Sequence, residues 1–370
     1  MKNYSILFLT IIILLFSIWS LSQTNDISFG IKNKGEIIYT KIENRPISIY
    51  LPPFYNKNSE YKVIYFNDGQ YLFKGWWHLE NVLDTLINNK TIEPLIVVGI
   101  HSDENRNSDL IPFNDSWIQS NVGAYIPKTK EYSNFIRKKI IPYIERNYAI
   151  AKGAENRAFS GASFGGLHVL WDGITYPNYW NLIIANSPSL WVNNFEMFNY
   201  VANIKNITSK IWLDIGATTG EWNYYVPIIE TLKKKNLIYG KELFYYEDPS
   251  GHHNANSWSK RIKYPLIVFA GNKNLTPKDM KIEIEVIKSS SSNSYFQRIN
   301  PIIHLENGLI FSAANQATYE LINIADGFIK SDGRFSFSKK KNLKIKITYK
   351  NLIKNIVINY SKIENQKKLN

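Results

Sequence analysis

The chain reads as a mostly parallel α/β sheet followed by a small all-β domain, and three observations carry that reading. From about residue 36 to residue 272, strand-like and helix-like stretches alternate, which favours parallel pairing with helices on the sheet faces. Within that region, Pro94-Leu95-Ile96-Val97-Val98-Gly99-Ile100 is a continuous apolar run, as expected of a strand buried on both sides. Beyond about Asn272 helical periodicity stops and short alternating stretches take over.

The elements follow in order. Glu36-Ile37-Ile38-Tyr39-Thr40 and the stretch Arg45 to Pro52 alternate at period two, as half-buried strands do. Tyr61 to Phe66 is an apolar strand that runs into the polar loop Asn67-Asp68-Gly69-Gln70, and Trp76 to Leu86 reads as a helix. Tyr132 to Tyr148 carries helical periodicity, with Pro142 expected to bend or reset it. Ala158 and Phe159 end a strand, Phe164 to Trp171 is helix-compatible, and Leu182 to Asn186 and Lys210 to Gly216 are strand-like. A helix from about Val226 to Lys235 leads to a strand from Lys241 to Tyr246. In the tail, strands are expected at Lys281–Val286, Gly308–Phe311, Arg334–Phe337, Lys344–Tyr349 and Asn355–Tyr360, with turns such as Ser289-Ser290-Ser291-Ser292 between them. That spacing suggests a small antiparallel domain over residues 273–370, a sandwich being one arrangement.

The N-terminus has the pattern of a targeting segment. Lys2 is followed by an almost unbroken apolar run from Ile6 to Trp19, then Ser20-Leu21-Ser22-Gln23 around a cleavage point. The run falls short of the roughly 18–20 apolar residues a membrane span needs. Residues 1–22 are therefore read as a cleaved signal peptide, residues 23–272 as the α/β domain, and the product as secreted or periplasmic. No stable membrane insertion is expected after cleavage. The 370 residues contain no cysteine, which excludes disulfides, a thiol nucleophile and thiolate metal ligands. The formal charge is +13 with lysines spread along the chain, and no nucleic-acid-binding motif accompanies it, so no nucleic-acid partner is expected.

Gly161-Ala162-Ser163-Phe164-Gly165 matches G-x-S-x-G, the strand-to-helix elbow that lifts a serine hydroxyl above a sheet. Small residues two before and two after the serine let strand and helix pass closely, and the new helix aims its N-terminal N–H groups at the site. A serine hydroxyl needs a base within hydrogen-bond reach and an acid behind that base. His252 and His253 lie in a loop after a late strand, where open α/β sheets place their sites, and either can be the base. The loop after Trp212 to Ile215 offers two acids. Glu221 lies in the loop proper with a long enough reach and is favoured over Asp214 at the strand end. Two backbone N–H groups complete an oxyanion site: that of Phe164, after the serine, and that of Gln70, in the loop after an early strand. Trp76, Trp77, Trp117, Trp191, Trp222 and Trp258 fall near these segments and can line an acyl or catecholate cleft.

From about Arg45 to Ile267 the chain resembles the putative-esterase family of α/β hydrolases, which includes enterochelin-type siderophore esterases, esterase D relatives and feruloyl esterases. The resemblance rests on Ile49-Tyr50-Leu51-Pro52, Val63 to Gln70, Ile96 to Ile100, and Arg106, Asp109 and Pro112. It continues through Ile141-Pro142-Tyr143-Ile144, the elbow, Ser187-Pro188-Ser189-Leu190-Trp191, and His253-Asn254 with Trp258. The Ser-Pro-Ser-Leu-Trp and His-Asn-x-x-x-Trp stretches belong to the siderophore-esterase-like branch. The resemblance implies an α/β-hydrolase fold, with Ser163 as nucleophile and His253 rather than His252 as base. The β tail lies outside the family's common core.

The sequence thus predicts an exported serine carboxylic ester hydrolase acting on a small-molecule ester, of siderophore or acylated-sugar type, through Ser163, His253 and Glu221. Gln70 and Phe164 would hold the oxyanion and Trp191 and Trp258 the substrate, with no metal or other cofactor needed. Acyl transfer on the same triad and a non-catalytic surface binding protein are the alternatives.

Overall fold

A computed structural model describes residues 33–217, 222–288 and 295–369, with nothing stated of the side chains at 222–224, 287, 288, 368 and 369. The signal reading of residues 1–22, Glu221, the Trp222 side chain and the serine turn at 289–292 lie outside the described residues. Residues 33–370 form one compact unit.

The central sheet has eight strands: β1 (Glu36–Ile42), β2 (Arg45–Leu51), β3 (Lys62–Asn67), β4 (Leu95–Ile100), β5 (Arg157–Ala162), β6 (Leu182–Asn186), β7 (Lys210–Gly216) and β8 (Leu243–Asp248). Their order is β1-β2-β4-β3-β5-β6-β7-β8. The pairs from β4 through β3 to β8 are parallel, while β1 and β2 form an antiparallel hairpin at one edge. Alternate residues divide between two cores. Val63, Tyr65, Phe159 and Ile183 join one hydrophobic cluster, and Ile64, Phe66, Ala158 and Ile184 join the other. Both faces are covered, which is why these strands read as apolar runs.

The connecting helices are α1 (Leu79–Asn88), α2 (Arg106–Leu110), α3 (Ser116–Asn121), α4 (Thr129–Phe135), α5 (Ile141–Asn147), α6 (Phe164–Thr175), α7 (Val192–Asn203), α8 (Trp222–Lys233), α9 (Ala255–Arg261) and α10 (Lys263–Ala270). The helix expected from Trp76 starts only at Leu79, because His78 takes a left-handed backbone (φ 45°) at its N-cap and leaves both tryptophans in the preceding turn. The helix expected from Tyr132 to Tyr148 is interrupted by a π-helical turn over Ile136–Ile140. Pro142 follows in the first turn of α5. A proline removes one backbone donor and its ring crowds the carbonyl four residues back, and widening the preceding turn relieves both conflicts.

The tail consists of β9 (Pro277–Lys288), β10 (Tyr295–Leu305), β11 (Ile310–Ser312), β12 (Thr318–Leu321), β13 (Gly327–Ile329), β14 (Phe335–Phe337), β15 (Leu343–Tyr349), β16 (Leu352–Ile358) and a terminal helix α11 (Tyr360–Leu369). The strands pair antiparallel in three small sheets, β11-β10-β9, β12-β15-β16 and β13-β14. Ile299, Ile303, Phe311, Leu343, Ile345 and Ile347 belong to the same hydrophobic cluster as Phe66, Leu83 and Phe244. The tail therefore packs on the central sheet together with α1 and α10.

Candidate active site

Ser163 stands between β5 and α6 with φ 57° and ψ −121°, a backbone conformation that costs an L-residue energy and that its surroundings enforce. Its N–H donates to the Asn186 carbonyl at 3.1 Å, and its own carbonyl accepts from Ser189 N–H at 3.1 Å. A Cβ at Gly161 would collide with the Gly165 carbonyl, so the strand can reverse into the helix only with glycine there.

The structure brings His253, and not His252, to the serine: His253 Nε2 lies 3.1 Å from Ser163 Oγ. The backbone N–H of His252 donates to Ser257 Oγ at 2.9 Å. An imidazole nitrogen at that distance can take the hydroxyl proton as the oxygen attacks. The His253 ring meets Trp258 edge to face at 5.2 Å. Desolvation, with a smaller contribution from the positive charge of Arg261, lowers its pKa to about 4, which keeps the ring neutral and basic at ordinary pH. Ser163 Oγ also lies 3.2 Å from Ser189 Oγ, a neighbour that the elbow motif gave no reason to single out.

Of the two acids, Glu221 lies outside the described residues. Asp214 is engaged elsewhere: Oδ1 accepts from Arg261 Nε at 3.0 Å and lies 2.9 Å from Nη2, and Oδ2 accepts from Trp212 Nε1 at 2.9 Å. Burial raises the Asp214 carboxyl pKa above its ordinary value, against the opposing pull of Arg261. Arg261, fully buried, also donates to Ser187 Oγ at 2.9 Å, to which Trp258 Nε1 donates at 3.0 Å. A buried framework thus joins the ends of β6 and β7 to α9, directly behind the histidine loop. Nothing in the sequence pattern marked Arg261, because a single arginine late in a helix looks like any surface cation.

The loop after β3 sits where the sequence placed it. Asp68 has a left-handed backbone (φ 58°) and opens a single 3-10 turn, Gly69–Tyr71, that contains Gln70. Arg106 grips Asp68 through two bonds, Nε–Oδ1 at 2.7 Å and Nη2–Oδ2 at 2.8 Å, and Ser102 Oγ donates to Oδ1 at 2.6 Å. Gln70 Oε1 accepts from Ser102 N–H at 2.9 Å, which turns the side chain away and fixes the turn. Gly69 and Gly99 pass backbone to backbone, and a Cβ on either would collide with the other. Phe164 N–H is at the first position of α6, where helix geometry supplies no internal acceptor. Asn67, beside this turn, donates to Gly165 O at 3.2 Å and bonds His168 Nδ1 at 2.9 Å, while His168 Nε2 meets Ser133 Oγ at 3.0 Å. His168 is thus a buried structural histidine.

Aromatic rings rise on both sides. Phe164, Trp191 and Trp117 form a chain of ring contacts at 6.0 and 5.7 Å, with Trp117 exposed at its end. Asp115 holds that wall together by capping α3 through Ile118 N–H (2.9 Å) and accepting from Asn193 N–H (2.6 Å). On the other side Trp258 lies against Trp77 at 5.7 Å, and exposed Trp76 stacks on Tyr71 at 4.5 Å.

Comparison with known proteins bears on this site. Residues 42–266 match the family model described as "Putative esterase". The uncharacterized protein YbbA of Bacillus subtilis is 25% identical over 231 residues, covering 60% of this chain and 91% of its own. The enterobactin esterase FES from Shigella flexneri, solved in the presence of enterobactin, superposes with a TM-score of 0.52 at 18% identity, covering 64% of this chain and 58% of that one. An IroE-like serine hydrolase from Shewanella oneidensis superposes with a TM-score of 0.51 at 23% identity, over 63% of this chain and 79% of that one. The chain belongs to the putative-esterase family, with the α/β-hydrolase fold, and is a hydrolase that acts on esters.

Proposed function

We propose that the protein is an exported serine esterase that cleaves carboxylic esters through an acyl-enzyme, with an aromatic group of the substrate held between its tryptophan walls. The observation that carries this reading is the 3.1 Å contact between Ser163 Oγ and His253 Nε2 at a strained strand-to-helix turn. Ser163 Oγ attacks the ester carbonyl carbon as its proton passes to His253 Nε2. The carbonyl oxygen becomes an oxyanion facing the N–H groups of Gln70 and Phe164, each such donor contributing on the order of 10²–10³ in rate. The carbon–oxygen bond to the leaving alcohol then breaks and the imidazolium returns the proton to that oxygen. Water, activated by the same nitrogen, attacks the acyl-serine, releasing the carboxylic acid and restoring the hydroxyl. Glu221 is the proposed acid behind Nδ1, since Asp214 is held by Arg261 and Trp212. Besides the ester, this sequence of steps uses protein groups and one water.

Trp258, against the His253 ring, and Trp191, against Phe164, are the proposed substrate contacts. A flat ring between such walls gains stacking as well as burial. The enterobactin esterase named above supports a siderophore-type ester, and an aromatic acyl sugar fits the same walls. The apolar run of residues 6–19 supports export.

Intact mass after incubation with a fluorophosphonate tests the reading. One adduct on the wild type, absent in Ser163→Ala, is expected, together with loss of p-nitrophenyl ester turnover by at least about 10⁴-fold. An unlabelled but folded wild type would remove the serine mechanism.

A further inference from the structure

We propose that the outer face of the β12-β15-β16 sheet docks the protein onto a membrane surface rich in anionic phospholipid. Charge is unevenly divided along the chain. Residues 273–370 carry 17 Lys+Arg against 8 Asp+Glu, whereas residues 1–272 carry 27 against 23. Most of the net positive charge therefore sits on the tail, an asymmetry that points to an anionic partner surface.

The sheet register shows where that charge meets apolar surface. One face of β15 is buried through Leu343, Ile345, Ile347 and Tyr349, so Lys344, Lys346 and Thr348 point outward. Lys344 pairs with Val357, Lys346 with Asn355 and Thr348 with Ile353 on β16. On the other side Glu320 pairs with Lys346, and Ile322 continues the register with its N–H on the Lys344 carbonyl at 2.9 Å. Ile322, Lys344 and Val357 thus form one row across three strands. The solvated face of an antiparallel sheet is normally polar. Here Ile322 is 55% exposed, Val357 61% and Ile353 58%, and Ile324, just beyond the row, is 79% exposed.

The lysine cluster Lys339-Lys340-Lys341 is fastened beside this row. Asn323 Nδ2 donates to the Asn342 carbonyl at 2.8 Å, Lys344 N–H to Asn323 Oδ1 at 2.7 Å, and Ser338 N–H to the Asp326 carbonyl at 2.9 Å. Lys339 has a distant carboxylate in Asp326 at 3.8 Å. Among the described residues, Lys340, Lys341 and Lys344 form no ion pair, and all three are exposed. Branched aliphatic side chains interleaved with free ammonium groups match the boundary between anionic headgroups and acyl chains. A nucleic acid or a glycan would be met by stacking rings, and none of the outward residues in these rows is aromatic.

Sedimentation of the full chain with phosphatidylcholine vesicles, with and without phosphatidylglycerol, tests the proposal. Three chains are compared: wild type, Lys340→Glu/Lys341→Glu/Lys344→Glu, and Ile322→Ser/Val357→Ser. The N-terminal apolar run is common to all three and cancels. Binding of the wild type should require phosphatidylglycerol and weaken with salt. The lysine variant should bind at least roughly a hundredfold more weakly, at about fivefold for each of the three lysines lost, and the apolar variant should also lose affinity. Hydrolysis of a short soluble ester, unchanged in all three, shows that they are folded; Lys→Gln replacements serve if charge reversal impairs folding. Equal binding by all three chains, or no preference for phosphatidylglycerol, overturns the proposal. So does binding to dextran sulfate that the apolar variant retains in full, which would identify a polyanion site instead. This result is independent of the serine mechanism, because the readout is binding.

Discussion

At the scale of single residues, the site depends on keeping His253 neutral. Proximity to Ser163 Oγ is useful only if Nε2 has a free lone pair, and protonation removes it. Desolvation first, and the Arg261 charge second, push the imidazole pKa down to about 4. The residue nonetheless remains exposed at the cleft mouth, so solvent screening limits the shift. The acid limb of kcat/KM for a short ester should therefore fall between pH 4 and 6.5, below the ordinary histidine value. Measured from pH 3 to 9 with a pH-insensitive leaving group, a limb at or above 6.5 would show that desolvation does not set the ring's pKa in the working enzyme, as when a carboxylate at Nδ1 outweighs it.

At the scale of elements, the elbow and the histidine loop are held by different means. The elbow is steric: glycines let β5, α6 and the turn after β3 crowd together. The histidine loop is polar, and its base is the pair between Arg261 of α9 and Asp214 of β7, both fully buried. Removing one partner of such a pair leaves a charge without compensation and typically costs about 3–5 kcal/mol. Arg261→Met should lose that much in urea denaturation, and Arg261→Met with Asp214→Asn should be distinctly more stable than Arg261→Met alone. Equal loss in both would mean that the guanidinium acts by packing only. The contrast between elbow and loop also explains what could be read in advance. Strand β4 and the elbow were legible because burial on two faces and close backbone approach restrict residue type at fixed spacing. Ser163, the His252-His253 pair and the Gln70 turn were read from spacing and chain order, while the choice of His253 within the pair came from the family resemblance. Arg261 followed from neither, since its partners are Asp214 and Ser187, far away in sequence. Strand β10 was missed because Asn300-Pro301 interrupts its apolar pattern, and α11 because Tyr360 to Leu369 is mostly polar.

At the scale of the whole molecule, the tail completes the core of the esterase sheet. It also introduces a cluster with unusual titration where it meets the edge strand β8. Glu247 of β8, fully buried, accepts from Arg298 Nη2 of β10 at 2.7 and 2.6 Å and from Asn300 Nδ2 at 3.3 Å. Asn300 also donates to Glu285 of β9 at 2.9 Å. One guanidinium thus faces two carboxylates. Burial first, and the neighbouring Glu247 charge second, raise the Glu285 pKa to about 8, so this carboxyl stays protonated in the folded protein near neutrality. In the unfolded chain the same group ionises near 4.5. Between those values the folded state holds a proton that the unfolded state lacks, so stability falls as pH rises and its contribution is gone above the folded pKa. Glu285→Gln, which keeps the hydrogen bond to Asn300 and cannot ionise, removes this dependence. The melting temperature of the variant relative to wild type should therefore climb by several degrees between pH 5 and 9, at roughly 1–2 °C per kcal/mol for a chain of this size. A difference independent of pH would show instead that Glu285 is ionised throughout, with Arg298 serving both carboxylates at once, and that the tail is fastened to β8 by charge rather than by a shared proton.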